Sequence, residues 1–130
     1  MIAIDTNIIV RLLVNDDAAQ FQRAYKLFNK DEVFIADTVI LETEWVLRFA
    51  YNFQPPQIAD ALTGLFGLPN VHINHPSLVA LAISWHIQGL DFADAFHLAN
   101  SRQCKTFFTF DKKMIKTAQH LDSCAVLAPD

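Results

Sequence analysis

The chain has 130 residues, 52% of them apolar and 18% charged, with a net charge of −4. Scaling of surface with mass leaves about two-thirds of the unfolded surface buried at this size, enough for one hydrophobic core. This excludes intrinsic disorder, and because no stretch of about 18 residues is free of charged or strongly polar groups, it also excludes a membrane helix.

Met1 to Ile4 form a short apolar run that ends at Asp5-Thr6-Asn7, and a helical pattern follows through Ile8, Ile9, Leu12 and Leu13. Asn15-Asp16-Asp17 reads as a break and an N-cap before a second helix, Ala18 to Lys30. Val33 to Ala36 reads as a strand. Asp37-Thr38 is expected to cap a helix to about Ala50, and Pro56 to open another to about Leu68. A third strand is expected at Val71 to Ile73. From Pro76 to Trp85 the chain is apolar nearly all round, which predicts a helix buried in the core or at an interface. Gly89 stops it, and Asp91 starts the next helix. A strand at Thr106 to Phe110, a helix from Asp111 and a strand near Ala125 to Leu127 complete the pattern. Short apolar strands alternating with helices, without hairpin signals, predict a single α/β domain over residues 1–130 with a parallel sheet covered on both sides.

In such a sheet, ligands bind beyond the carboxyl ends of the strands. Asp5 follows the first strand and Asp111 the fourth, and each can either cap the next helix or belong to a site. Val39, Glu42, Val46 and Phe49 recur at helical spacing, so Glu42 is expected to interrupt an apolar face where a carboxylate needs a partner, such as a metal ion. Glu44 has Arg48 four residues on and is expected on a solvated face. Asp91 reads as an N-cap. Asp94, a turn further in, is open to two readings: compensation of the helix dipole, or a carboxylate directed to the edge of Asp5 and Asp111.

Other chemistries lack their residues. The histidines at 72, 75, 86, 97 and 120 show no metalloprotease pairing, and His97 is expected at the surface or the core edge. Three glycines make no phosphate loop, and no Ser or Cys has a nucleophile elbow. Cys104 and Cys124 are too few for a disulfide scaffold; they are expected as buried small apolar residues in a cytoplasmic protein, and Asp5 and Arg11 near the start do not fit a secretory leader. Phe107, Phe108 and Phe110 are expected to be core residues and not a base-stacking platform. No Lys or Arg lies between Phe49 and Ser101, whereas Arg102, Lys105, Lys112, Lys113 and Lys116 crowd together; Arg11, Arg23, Lys26 and Lys30 form a second group. Bulk acidity argues against tight nonspecific nucleic-acid binding, and the basic edges leave transient binding open.

Met-Ile-Ala-Ile-Asp-Thr-Asn at 1–7, Leu-Glu-Thr-Glu-Trp-Val-Leu at 41–47, Asp-Phe-Ala-Asp-Ala-Phe-His-Leu-Ala at 91–99 and Thr-Phe-Asp at 109–111 resemble, in order, the motifs of the PIN-domain ribonucleases. More narrowly, they resemble the VapC-type toxins of type II toxin–antitoxin pairs. The resemblance implies a three-layer α/β/α domain with a short central parallel sheet. It carries the family's acidic quartet onto Asp5, Glu42, Asp94 and Asp111, as catalytic residues and ligands of Mg²⁺ or Mn²⁺. Thr6, Asn7 and Thr109 would support that site, and Asp91 is kept beside it as the cap. The implied activity is RNA hydrolysis leaving a 5′-phosphate and a 3′-hydroxyl. The implied partners are a second copy of the chain and a small antitoxin wrapping the helices from Thr38 to Leu68.

Two other readings are weighed. A PIN-like nuclease in housekeeping RNA processing shares the site. A receiver-type signalling domain would need paired acids after the first strand and a late Lys, but Ile4-Asp5-Thr6 has one acid and Leu121 to Asp130 has no Lys.

Overall fold

The computed structural model describes residues 1–130. Its seven helices and five short strands fall into two compact units, Met1–Asn74 and His75–Asp130.

The first unit runs β1 (Ile2–Ala3), α1 (Thr6–Val14), α2 (Ala18–Lys30), β2 (Val33–Phe34), α3 (Asp37–Tyr51), α4 (Pro55–Phe66) and β3 (Val71–His72). Its strands are parallel in the order β1-β2-β3, with Ile2 opposite Val33 and Val33 opposite Val71. The ladder outlasts the assigned strands, since Ile4 N donates to Phe34 O at 3.4 Å and Ile35 N to His72 O at 3.0 Å. Asp5 is thereby delivered to the carboxyl end of β1. Between α1 and α2 the chain turns through Asn15 in the left-handed region (φ 56°), and the Asp17 carboxylate then accepts from Gln20 N. Val33, Ile35, Ile40, Leu47, Ile58 and Leu62 are fully buried and form the core.

On α3 the structure corrects two expectations. The buried face is Ile40, Thr43, Glu44 and Leu47, at i, i+3, i+4 and i+7, one position on from the anticipated stripe. Glu44, expected in solvent, is 2% exposed, and Glu42 is exposed. The expected Glu44–Arg48 pair does form, with Nε to Oε2 at 2.7 Å and Nη2 to Oε1 at 3.2 Å. A two-pronged guanidinium satisfies a carboxylate that burial would otherwise make expensive. Arg48→Met should therefore cost about 2–3 kcal/mol in urea unfolding, because it removes the charge partner of a buried acid; Glu42→Gln, on the exposed flank, should change stability little. The N-terminus of α3 also differs: Ala36 is the N-cap, with no side-chain cap bond.

The second unit runs α5 (Pro76–Ile87), α6 (Phe92–Asn100), β4 (Thr106–Phe108), α7 (Lys112–Ala118) and β5 (Ala125–Leu127). β4 and β5 pair in parallel, Phe107 opposite Val126, and Thr109 N extends the ladder to Leu127 O at 3.0 Å. α5 packs along α6, the most extensive helix pairing in the chain. The turn between them is a Schellman closure: Leu90 N donates to Trp85 O at 3.1 Å and Gly89 N to His86 O at 3.1 Å. Gly89 has φ +113°, a conformation side chains rarely adopt, so glycine is required there.

α5 buries Val79, Ala82, Ile83, Trp85 and His86 while Ala80, Ser84 and Ile87 face solvent. It reads as apolar all round because alanine counts as apolar on an exposed face too. Cys104 is exposed and Cys124 partly so, against the expectation of burial; Cys104 lies in the turn after α6, where no neighbouring element covers it. Phe108 and Phe110 are 62% and 83% exposed, so the expectation of core positions fails for both. β4 is only three residues long, and Phe110 lies beyond its end.

Candidate active site

In the first unit the site begins where β1 stops. Asp5 is the N-cap of α1, its Oδ1 accepting from Thr6 N at 2.7 Å. Capping occupies one carboxylate oxygen and leaves the other for a ligand. Thr6 is 5% exposed, and its buried Oγ1 has no hydrogen-bond partner. Glu42 extends from the exposed flank of α3. Asp5, Thr6, Asn7 and Glu42 line one cleft of about 280 Å³, together with Val10, Arg11, Val46 and Tyr51. Neither carboxylate forms an ion pair. Arg11, the cation on the cleft wall, is engaged elsewhere: its Nε donates to Gln20 and its Nη1 to Asp16, while the Tyr51 hydroxyl donates to Asp16 Oδ2 at 3.1 Å. Arg11 Nη1 also donates to the Tyr51 hydroxyl at 3.4 Å, and the Tyr51 and Asp16 bonds raise the Arg11 pKa above its ordinary value. Nothing in the spacing of Arg11, Asp16 and Tyr51 announces this cluster, because Tyr51 is distant in sequence from the other two.

In the second unit, Asp91 caps α6, accepting from Asp94 N at 3.2 Å, as expected of it. Asp111 caps α7, accepting from Met114 N at 3.0 Å, and its own N–H donates to Thr109 Oγ1 at 3.1 Å. Thr109 thus fixes the turn that aims Asp111. Asp94 has its pKa raised, first by desolvation and then by the negative charges of Asp91 and Asp111, with His97 acting in the opposite direction. His97 is exposed.

Because its pKa is raised, the folded chain holds the Asp94 proton more tightly than the unfolded chain does. The associated stability is present in acid, below the unfolded value, and is lost as pH rises through the raised folded value. Asp94→Asn should therefore raise the melting temperature at neutral pH, with the difference vanishing in acid; a thermal melt series across pH checks this.

The structure thus brings Asp5, Thr6, Asn7 and Glu42 to one cleft, and in the other unit it couples Asp94 to Asp91 and Asp111. Within neither unit do three or more His, Cys, Asp or Glu side chains form a metal-holding group. The donors nevertheless fit a hard divalent cation. Two unpaired carboxylates share a cleft with a buried hydroxyl that lacks a partner, and all of these are oxygen ligands.

The PIN domain family model matches residues 2–119, a range running through both units, and the chain belongs to the PIN-domain family. No curated protein and no solved structure matches it. PIN domains are generally nucleases and generally bind divalent metal ions such as Mg²⁺. No helix of the chain is long and apolar enough to cross a membrane.

Proposed function

We propose that the chain is a divalent-metal-dependent endoribonuclease whose essential acids are Asp5, Glu42, Asp94 and Asp111, and that it is the toxin of a type II toxin–antitoxin pair. The observation that carries the nuclease reading is the cleft with two unpaired carboxylates and the orphaned Thr6 hydroxyl. Mg²⁺ or Mn²⁺ bound by these groups would supply water activation and neutralise charge at the scissile phosphate. The protein's own part is positioning. Asp5 and Asp111 are fixed by the helix turns they cap, Asp111 further by Thr109. Within the second unit, the charges of Asp91 and Asp111 bear on Asp94, and a bound cation would relieve that repulsion. No side-chain nucleophile is required. The test is incubation with end-labelled RNA and Mn²⁺: products with 5′-phosphate and 3′-hydroxyl ends support the reading. Inert RNA, with aspartyl labelling by a small phosphodonor instead, would establish the receiver-type alternative.

The toxin assignment is supported by the four motifs in register. The proposed partners are a second copy of the chain and a small antitoxin held on the helices from Thr38 to Leu68. In that stretch Trp45 and Phe49, 56% and 59% exposed, meet with ring centroids 4.9 Å apart, an aromatic pair of the kind enriched at interfaces. An antitoxin Arg would suit the acidic cleft, giving inhibition that weakens as salt rises. Harmless overexpression without the neighbouring gene would remove the toxin assignment and leave the nuclease standing. A monomer by light scattering would remove the dimer.

A further inference from the structure

Phe110 lies between Thr109 and Asp111 and is 83% exposed. It occupies the position just before the N-cap of α7, where an apolar residue ordinarily packs against the fourth helical residue, here Ile115, and staples the helix start. Exposure of this degree rules that role out, and no ring contact involves Phe110. A large aromatic ring therefore stands in water beside a carboxylate of the acidic set.

Beyond Asp111, the helix that follows Phe110 is cationic. Lys112 and Lys113 follow Asp111, and Lys116 completes the solvent face of α7, opposite the buried Met114 and Ala118. None of the three has an ion-pair partner. Lys112 and Lys116 are four residues apart and Lys113 and Lys116 three, so like charges face each other on one short helix, and two of them sit in its first turn, where the helix dipole disfavours cations. Lys116, in the last turn, is favoured by the dipole, but local stability does not explain the two lysines of the first turn. A polyanion would offset their charge.

We propose that Phe110, flanked by Lys112 and Lys113, is a base-stacking platform for single-stranded RNA that holds the strand against Asp111. The proposal rests on the ribonuclease reading and deepens it. A ring stacks on any unpaired base, and lysines neutralise the phosphates on either side. Paired bases in a duplex present no free face, so the platform selects unpaired segments. A protein partner fits less well, because lysine is depleted at protein–protein interfaces.

The test is fluorescence anisotropy of a fluorescein-labelled oligouridine and of an RNA duplex of equal length, in EDTA so that nothing is cut. Phe110→Ala should weaken oligouridine binding about tenfold or more and duplex binding little. Phe110→Trp should retain binding, with tryptophan quenching beyond that of the wild type, which has Trp45 and Trp85. Lys112→Ala with Lys113→Ala should weaken both RNAs and flatten the salt dependence, by about 0.7 in log–log slope for each single-strand phosphate that is no longer neutralised. Equal oligouridine binding by Phe110→Ala and wild type would overturn the platform. A change of oligomeric state without a change in RNA binding would also overturn it and assign Phe110 to a protein interface. In either case, cleavage by the wild type shows that the nuclease reading survives; a wild type that neither binds nor cuts RNA removes both.

Discussion

Asp5→Asn and Asp94→Asn are each expected to abolish metal-dependent RNA cleavage, a loss of at least about 100-fold, while the fold stays intact. The magnitude follows from the chemistry of the group removed. Changes to residues that only orient metal ligands already cost about 10–100-fold, and these substitutions replace an anionic oxygen ligand with a neutral amide. The fold is expected to survive because Asn caps helices nearly as well as Asp, so the bond from Thr6 N to residue 5 can persist. At Asp94 the substitution also removes repulsion from Asp91 and Asp111. Asp91→Asn is the control, since its side chain caps α6 through Asp94 N and Asn keeps that bond. A loss at Asp91 as deep as at Asp94 would exchange their roles. Full activity in Asp5→Asn would remove Asp5 from the catalytic set.

The largest effect on stability is expected at Phe92. Its side chain is fully buried and meets His86 and Phe96 edge-on, with centroids 5.6 and 6.1 Å away. Phe92→Ala should cost about 3–5 kcal/mol through forfeited transfer energy and the cavity left behind. Urea unfolding with an unchanged slope and a lowered midpoint is the expected result. Phe92 immediately follows the cap Asp91 and lies two residues before Asp94, so its packing anchors the first turn of α6, on which Asp94 is carried. Phe92→Leu, which conserves more of the volume, should recover much of the stability.

The order and type of the elements are legible in the sequence, and for physical reasons. Ala18 to Lys30 shows helical periodicity bounded by Asp17, a strong cap, and the helix has those limits. Strand ends are less legible. Val33 to Ala36 reads as extended but only Val33–Phe34 pairs as strand, because apolar character marks burial and not the reach of a hydrogen-bonded ladder. α3 shows how periodicity misleads by one position. Val39, Glu42 and Val46 form a helical stripe as regular as Ile40, Thr43, Glu44 and Leu47, and only tertiary packing selects the second. Sequence pattern favours the first because Glu44 and Thr43 look polar, whereas Arg48 makes the burial of Glu44 tolerable. Glu42 lacks the burial that its stripe predicts, yet its place in the cleft with Asp5 is real. Phe108 and Phe110 fail in the opposite sense. Alternation in a strand predicts one buried face, but β4 ends before Phe110, so the pattern has no strand to act on there.

Calorimetric titration with Mn²⁺ tests the proposed metal dependence without depending on the choice of RNA. The wild type should bind Mn²⁺, more tightly as pH rises through the raised Asp94 value, since the cation competes with the proton there. Asp5→Asn and Asp94→Asn should each bind markedly more weakly. A wild-type chain that takes up no Mn²⁺ at neutral pH, or variants that bind it as the wild type does, would overturn the proposed metal dependence.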